Sequence, residues 1–428
     1  MGKIVETLQN IWSVPELRRK LLFTFLILAA SRALANVPLP GVDPTALRNL
    51  LANSALFGLF DLFSGSNLQN FSIASIGLSP YITASVIFQL LAMVYPKLEE
   101  MRKEQTGQEK INQWTRLLTV PLTFVQGFGF YAIISQQLNL PTLAWWQMGL
   151  FLVTLTCGTM VLMWLGELIT EYGIGNGISV IIATGIISRL PTVLAQTQAI
   201  ITSENSLTFL MIGVLILLVV GAIVAVNEGE RRIPIHYAKR IQAGGKLSDA
   251  STYLPLKVNQ AGVMPIIFAL ALIVVPSAVS TYLSQVAVPG VKTVDLWLTN
   301  NFTPKSVLYN GLYFLLVVGF TYIYTAVNFN PERIAEDNRK YGGFIPGIRP
   351  GRPTQDYLNW VMTRVTLSGA IFLGLIAILP SFLQTVFSDA AVLAVGGTSV
   401  LIVVSVVLET VKQVESLMVM RDYDSFLR

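Results

Sequence analysis

Apolar runs long enough to cross a bilayer alternate along this chain with short segments dense in lysine and arginine, and few folds tolerate that pattern. A helix needs about 17–25 mostly apolar residues to span the hydrocarbon layer. Runs of that kind predict spans near residues 21–37, 71–95, 117–138, 143–166, 175–198, 207–226, 260–283, 307–327, 365–383 and 390–409. The fifth is the weakest, because Arg189 and Pro191 interrupt it. It is kept because its removal would move the basic 228–257 connection to the other side of the membrane.

Of the 29 Lys and Arg residues, 24 lie in the five segments 3–20, 97–116, 231–257, 333–364 and 412–428. Arg32, Arg48, Arg189, Lys292 and Lys305 are the five left for the opposite side. Loops rich in Lys and Arg stay cytoplasmic, so this division predicts ten spans with both termini in the cytoplasm. The expected location is the cytoplasmic (inner) membrane. A mean hydropathy of +0.62 and a charged fraction of 12% agree, since soluble domains carry about 25% charge. The first run, Leu21 to Ala35, follows a polar amphipathic start without a small-residue cleavage site, so it is expected to remain as a span. The net charge of +5 reads as a topology signal and a contact with anionic lipids, not as specificity for nucleic acid.

Side-chain chemistry narrows the function by elimination. Cys157 is the single cysteine and falls within a span, which excludes a disulfide framework and a cysteine metal site and suggests small apolar packing. His236 is the single histidine and reads as a solvated loop residue between Arg232 and Lys239. No acidic or basic residue falls near the middle of a span; Arg32, Glu167, Arg189, Arg364 and Glu409 all sit near ends. Coupled transporters and pumps normally need intramembrane ionisable groups, and the phosphate-binding GxxxxGK[ST] pattern is missing. The glycine-rich GIGNG, residues 173–177, joins spans four and five as a tight turn. The expectation is a non-enzymatic conduit or scaffold without cofactor or metal, driven by a partner.

Three segments stand out. The connections 228–258 and 328–364 are long, basic and punctuated by Gly and Pro, and long loops are uncommon unless functional. The stretch 59–80 is apolar yet carries Asp61, Asn67, Gln69 and Asn70. It is either a re-entrant segment lining a cavity or an amphipathic segment on the outer surface. Ten spans also divide into two sets of five, and an odd number would invert the second half, residues 201–428, relative to the first, 1–200. Spans two and seven are expected to be broken by proline, at Pro80, Pro265 and Pro276.

The strings GLSPYITASVIFQLL (77–91), WLGELITEYGIGNGIS (164–179), LPLKVNQAGVMPIIFA (254–269), YGGFIPGIRPG (341–351) and GTSVLIVV (397–404) closely resemble the SecY/Sec61-alpha family of protein-conducting channels, in order and over essentially the whole chain. The resemblance implies an all-α membrane protein whose two inverted five-helix halves surround a central pore. It implies a waist ring of Ile82, Val86, Ile182, Ile186, Met264, Ile267 and Ile402. Spacings of three and four put each pair on one helical face, although aliphatic residues so spaced are equally ordinary packing. A plug would comprise Phe60, Asp61, Leu62, Phe63, Ser64, Gly65, Ser66, Asn67 and Leu68, extending to about residue 70.

Spans two, three, seven and eight would form a lateral gate, with Gln89 and Asn259 as polar residues at its seam. The basic connections would dock the ribosome and the motor ATPase SecA through Arg349, supported by Lys239, Arg240 and Lys246. Membrane subunits resembling SecE and SecG, and the preprotein with its signal sequence, are further implied partners. A secondary transporter would need a charged or ion-coordinating midplane site, which this chain does not offer. An insertase scaffold would keep the gate and lack the plug.

Overall fold

A computed structural model describes residues 14–39, 72–138, 144–200, 206–237, 252–283, 289–303, 306–386 and 396–426. It is mostly helical, and every expected span overlies a helix. These are α1 (Pro15–Leu34), α2 (Ser79–Val94), α4 (Gln105–Leu138), α5 (Trp145–Tyr172), α6 (Gly177–Ile200), α7 (Ser206–Glu228), α8 (Met264–Leu283), α10 (Val307–Asn328), α12 (Arg352–Val386) and α13 (Gly396–Phe426). Among the described residues, four helices satisfy length and apolarity as spans, namely α5, α7 and the helices that begin at Val307 and Arg352. The bent pair of α2 and α3 (Pro96–Lys103), which turns through 115°, makes a fifth if counted as one span. The number ten therefore rests on the alternation of charge and not on these two criteria.

Span two starts later than its apolar run. Residues 73–78 form turns and α2 begins at Ser79. Pro80 and Pro265 fall in the first turns of α2 and α8, where a missing N–H costs nothing. They start those helices instead of breaking them. Only Pro276 lies inside α8. Pro191 is accommodated inside a continuous α6, so Arg189 and Pro191 do not end that helix.

Three further helices fall outside the expected spans: α3, α9 (Pro289–Asn301) and α11 (Pro331–Lys340). Each begins at proline. In α11 the Asn330 side chain accepts from the Arg333 N–H at 3.1 Å, Glu332 sits in the first turn, and Arg339 and Lys340 sit in the last. That distribution matches the helix dipole, so a polar sequence holds a helix without an apolar run.

The 228–258 connection also has structure. Strands β1 (Glu230–Tyr237) and β2 (Thr252–Lys257) pair antiparallel with Ile233 opposite Leu254, and β3 (Gly343–Phe344) joins β1 at His236 and Tyr237. The strand order is β2-β1-β3. Ile233 and Ile235 point inward while Arg232, Pro234 and His236 point outward, the two-residue period of a half-buried strand.

The chain forms two compact units, Met1–Phe209 with Asp389–Arg428, and Leu210–Ser388. In the first, α1 packs on α5 and α6, α2 on α3 and α4, and α4 on α5, while α13 packs on α6. Chain order assigns span ten to the 201–428 half; packing groups α13 with the first unit. In the second unit α10 lies between α8 and α12, α9 leans on α8, and α11 rests on α12.

Buried threonines show how polar groups survive in apolar helices. Thr115, Thr119 and Thr123 recur every turn of α4 and donate to the carbonyls of Ile111, Thr115 and Thr119 at 2.7–2.8 Å. Back-bonding of this kind satisfies each hydroxyl locally. Cys157, expected as a small apolar packing residue, faces outward. It is exposed on α5, in a stripe with Leu150, Val153, Val161 and Trp164, because the helical period carries it to the outward face.

Candidate functional site

Six of the seven ring candidates are buried: Ile82, Val86, Ile182, Ile186, Ile267 and Ile402. Met264, the first residue of α8, is partly buried. Ile82 and Val86 lie one turn apart on α2, and Ile182 and Ile186 one turn apart on α6. Helical geometry thus puts each pair on one face. Five candidates belong to the first compact unit and two, Met264 and Ile267, to the second.

The plug candidates Phe60 to Leu68 lie outside the described residues, as do Lys239, Arg240 and Lys246. The chain just after the plug region is firmly held. Ser72 bridges Pro38, and the Ile73 N–H donates to the Val37 carbonyl at 3.0 Å. Gly158 of α5 lies so close to Ile73 that a Cβ there would overlap its carbonyl group. The segment before α2 is therefore bonded to the connection that follows α1 and packed closely against α5.

Of the two seam candidates, Gln89 donates from Nε2 to Ser85 Oγ on its own helix at 3.1 Å. Asn259 donates from Nδ2 to Asn227 Oδ1 at 2.8 Å and to the Gly262 carbonyl at 3.2 Å, while its buried Oδ1 has no partner among the described residues. Asn259 thus ties the start of α8 to the end of α7. A polar contact that sequence reasoning did not single out joins α4 to α2: Gln126 Nε2 donates to Thr83 Oγ1 at 3.3 Å. Its signal was present, since Gln126 is the amide side chain farthest from the ends of the third apolar run. The half-exposed Arg116, about a third of the way along α4, pairs with Glu167 near the end of α5 at 2.7 Å.

Two glycine-rich connections differ in what they hold. In the 173–177 turn, the Ile174 N–H donates to Thr24 Oγ1 at 3.1 Å, the Gly175 N–H to Gln413 Oε1 at 2.5 Å, and the Gly177 N–H to Thr170 Oγ1 at 2.9 Å. Helices α1, α5 and α13 thereby converge on five residues.

The second connection, 341–351, is built around a turn in which the Ile348 N–H donates to the Ile345 carbonyl at 3.0 Å. Pro346 takes the second position and Gly347, at φ +80°, the third, as a type II turn requires. Ile345 anchors that turn in a core with Ile233, Leu256, Leu358, Val361 and Met362. Arg349 follows, exposed, with its carbonyl held by Thr354 Oγ1 at 2.9 Å. The backbone is pinned and the guanidinium is presented outward without an ion-pair partner among the described residues.

The sheet beside it carries charge on its outer face. Arg232 pairs with Glu230 at 2.6 Å and stacks over Tyr253 at 4.8 Å. The Glu230 hydrogen bond, and next the neighbouring Tyr253, push its pKa further up, so the guanidinium stays charged. His236 faces outward in β1 against Phe344, with ring centroids 6.1 Å apart. It is thus an exposed strand residue and not part of a loop. No group of three or more His, Cys, Asp or Glu residues able to hold a metal occurs among the described residues.

Residues 72–411 match the SecY family. The chain is 42% identical over 432 residues to "Protein translocase subunit SecY" of Mycobacterium bovis, covering 96% of this chain and 97% of that protein. The protein of the same name from Streptomyces galbus is 42% identical, with 97% and 98% covered. Among solved structures, "The structure of a protein conducting channel" superposes with a TM-score of 0.64 at 18% identity, covering 93% of this chain and 92% of that one. "Sec61 in the Canine ribosome-channel complex from the endoplasmic reticulum" follows at a TM-score of 0.62 and 18% identity, over 93% and 92%. The fold is that of these multi-pass membrane channels, and by family match and near full-length identity the chain belongs to the SecY family.

Proposed function

We propose that this chain is the conducting subunit of a protein translocation channel, passing unfolded preproteins across a membrane and releasing apolar segments sideways into lipid. The carrying observation is the end-to-end similarity to curated SecY translocase subunits. The fold it shares with a solved protein-conducting channel supports the same reading.

On this reading the two inverted five-helix halves, 1–200 and 201–428, enclose the pore, and both termini are cytoplasmic. Ile82, Val86, Ile182, Ile186, Met264, Ile267 and Ile402 form its waist. A ring of aliphatic side chains excludes water when empty and offers no fixed charge to a passing chain, so it retains ions without selecting sequence. The residues from Phe60 to Leu68 close the outer funnel. Spans two, three, seven and eight open toward lipid, and weak polar pairs suit a seam that must part, because intramembrane hydrogen bonds are worth only ~0.6–2 kcal/mol. Arg349 on its pinned turn docks the ribosome or SecA, with Lys239, Arg240 and Lys246 in support. SecE-like and SecG-like subunits complete the channel.

The test is conductance in planar bilayers. Replacing Ile82, Ile182, Ile267 and Ile402 together with glycine is expected to wet the waist and raise ion flux. Flux at the level of the unaltered channel would remove the pore assignment.

A further inference from the structure

We infer that Arg364 and Trp360 of α12 form a binding site for the phosphate of an anionic phospholipid, a role distinct from conduction. The Arg364 guanidinium carbon lies 3.8 Å from the Trp360 ring centroid. That indole is in turn stacked near-parallel with Tyr357, at 16° and 6.4 Å between centroids. With its carbon 3.8 Å over the ring, the guanidinium has its three nitrogens around that carbon and N–H donors left to reach past the ring edge. Two parallel donors then match two oxygens of a phosphodiester. Stacking also removes side-chain freedom before the ligand arrives, so less ordering remains to be done on binding.

The helix face identifies the ligand as a lipid. From Trp360 and Arg364 the exposed positions continue through Leu367, Ile371, Leu375 and Phe382, at helical spacing down one side of α12. The opposite side, with Val361, Met362, Ala370, Leu373 and Ala377, is buried. The exposed apolar stripe suits acyl chains, and the aromatic and cationic pair caps it at the depth where headgroups lie. Arg364 has no carboxylate partner among the described residues, and Asp356 lies eight residues earlier, about 12 Å along the axis. On the neighbouring helix, the Tyr322 hydroxyl donates to the Thr363 carbonyl at 3.3 Å. This fixes α10 against the turn that carries Arg364.

Native mass spectrometry of the full-length chain with its membrane partner subunits, prepared in mixed phosphatidylglycerol and phosphatidylcholine, tests the site. The unaltered chain is expected to retain phosphatidylglycerol preferentially. Arg364→Gln is expected to lower that occupancy about fivefold, the scale of one arginine at an anionic surface. Trp360→Leu should lower it less, and Arg339→Gln on α11 should leave it unchanged. An unchanged phosphatidylglycerol-to-phosphatidylcholine ratio in Arg364→Gln would overturn the site. Displacement of the lipid by equimolar soluble glycerophosphate would assign it to free phosphate instead. Loss of a partner subunit in place of lipid would make it a protein contact. Arg364 is exposed, so its replacement leaves the packed core intact.

Discussion

The two glycine-rich connections 173–177 and 341–351 look alike in sequence and do opposite things in space. In the first, Gly177 is needed for room, since a Cβ there would overlap the Gly166 carbonyl and come within 2.7 Å of the Ile169 Cβ, and Gly175 alone is needed for a positive φ, +85°. In the second, glycine is needed for backbone conformation: Gly342, Gly347 and Gly351 have φ of +70°, +80° and +103°, with nothing within 4 Å of a built Cβ. One turn is wedged among helices and its amides are consumed by Thr24, Thr170 and Gln413. The other is pinned underneath by Ile345 and open above, with Arg349 as its outward charge. A turn surrounded by helix suits a fixed pivot, whereas a rigid turn facing solvent suits recognition.

The largest expected break in this contrast is Gly177→Ala. Backbone on the far side cannot move aside cheaply, so a loss of about 3 kcal/mol or more is expected, read as lower thermal stability of the purified chain. Stability equal to the parent would show that the turn is not wedged.

Arg349→Glu should act in the other sense, leaving thermal stability unchanged while weakening docking of the proposed motor by about 2 kcal/mol, as for a charged hydrogen bond. Binding and motor-driven export measured side by side check this. Normal values for both would leave Arg349 with a topological role alone.

Gly347→Ala should cost about 1–2 kcal/mol from a left-handed φ without any clash, visible as a smaller drop in thermal stability than Gly177→Ala. If the two cost the same, the distinction between room and conformation fails. The smallest effect is expected for Gln413→Leu, which removes one hydrogen bond worth about 1 kcal/mol. Hydrogen exchange at the Gly175 amide should quicken while the 343–351 amides stay as they are. Faster exchange in both turns would mean that the fastening is not local.

Much of this architecture could be read from residue order. The apolar runs mark where helices lie because lipid leaves the backbone no other partners than its own. The runs were silent about helix length: α12 begins at Arg352 and α13 continues to Phe426, since a helix in water needs no apolar run to continue. They also missed α11, although Asn330-Pro331-Glu332 is a legible helix start. The strands were visible in principle, because ERRIPIHY and TYLPLK alternate. Two prolines and the surrounding charge made both segments read as loop.

Of the site, the aliphatic pairs on α2 and α6 were named by the family resemblance, and their spacing added only that each pair shares one helical face. The partners of Gln89 and Asn259 did not, because an amide in an apolar run signals only that some partner exists. Whether that partner is Ser85 one turn away or Asn227 across a turn depends on which helices touch. Cys157 illustrates the same limit: residue order puts it within a span, and only packing shows that it faces outward.

By itself, then, the order of residues determined a multi-pass helical membrane protein, the sidedness expected from its charges, and its family. The first two follow from transfer energies and local propensities, which each segment carries wherever it sits, and the family follows from the motif strings that resemble it. Only the tertiary structure decided that α13 joins α6, that Gly175 is held by a glutamine 238 positions away, and that Ile345 roots the turn presenting Arg349. Those outcomes depend on close packing between segments distant in the chain, and packing is a property of surfaces that no segment possesses alone.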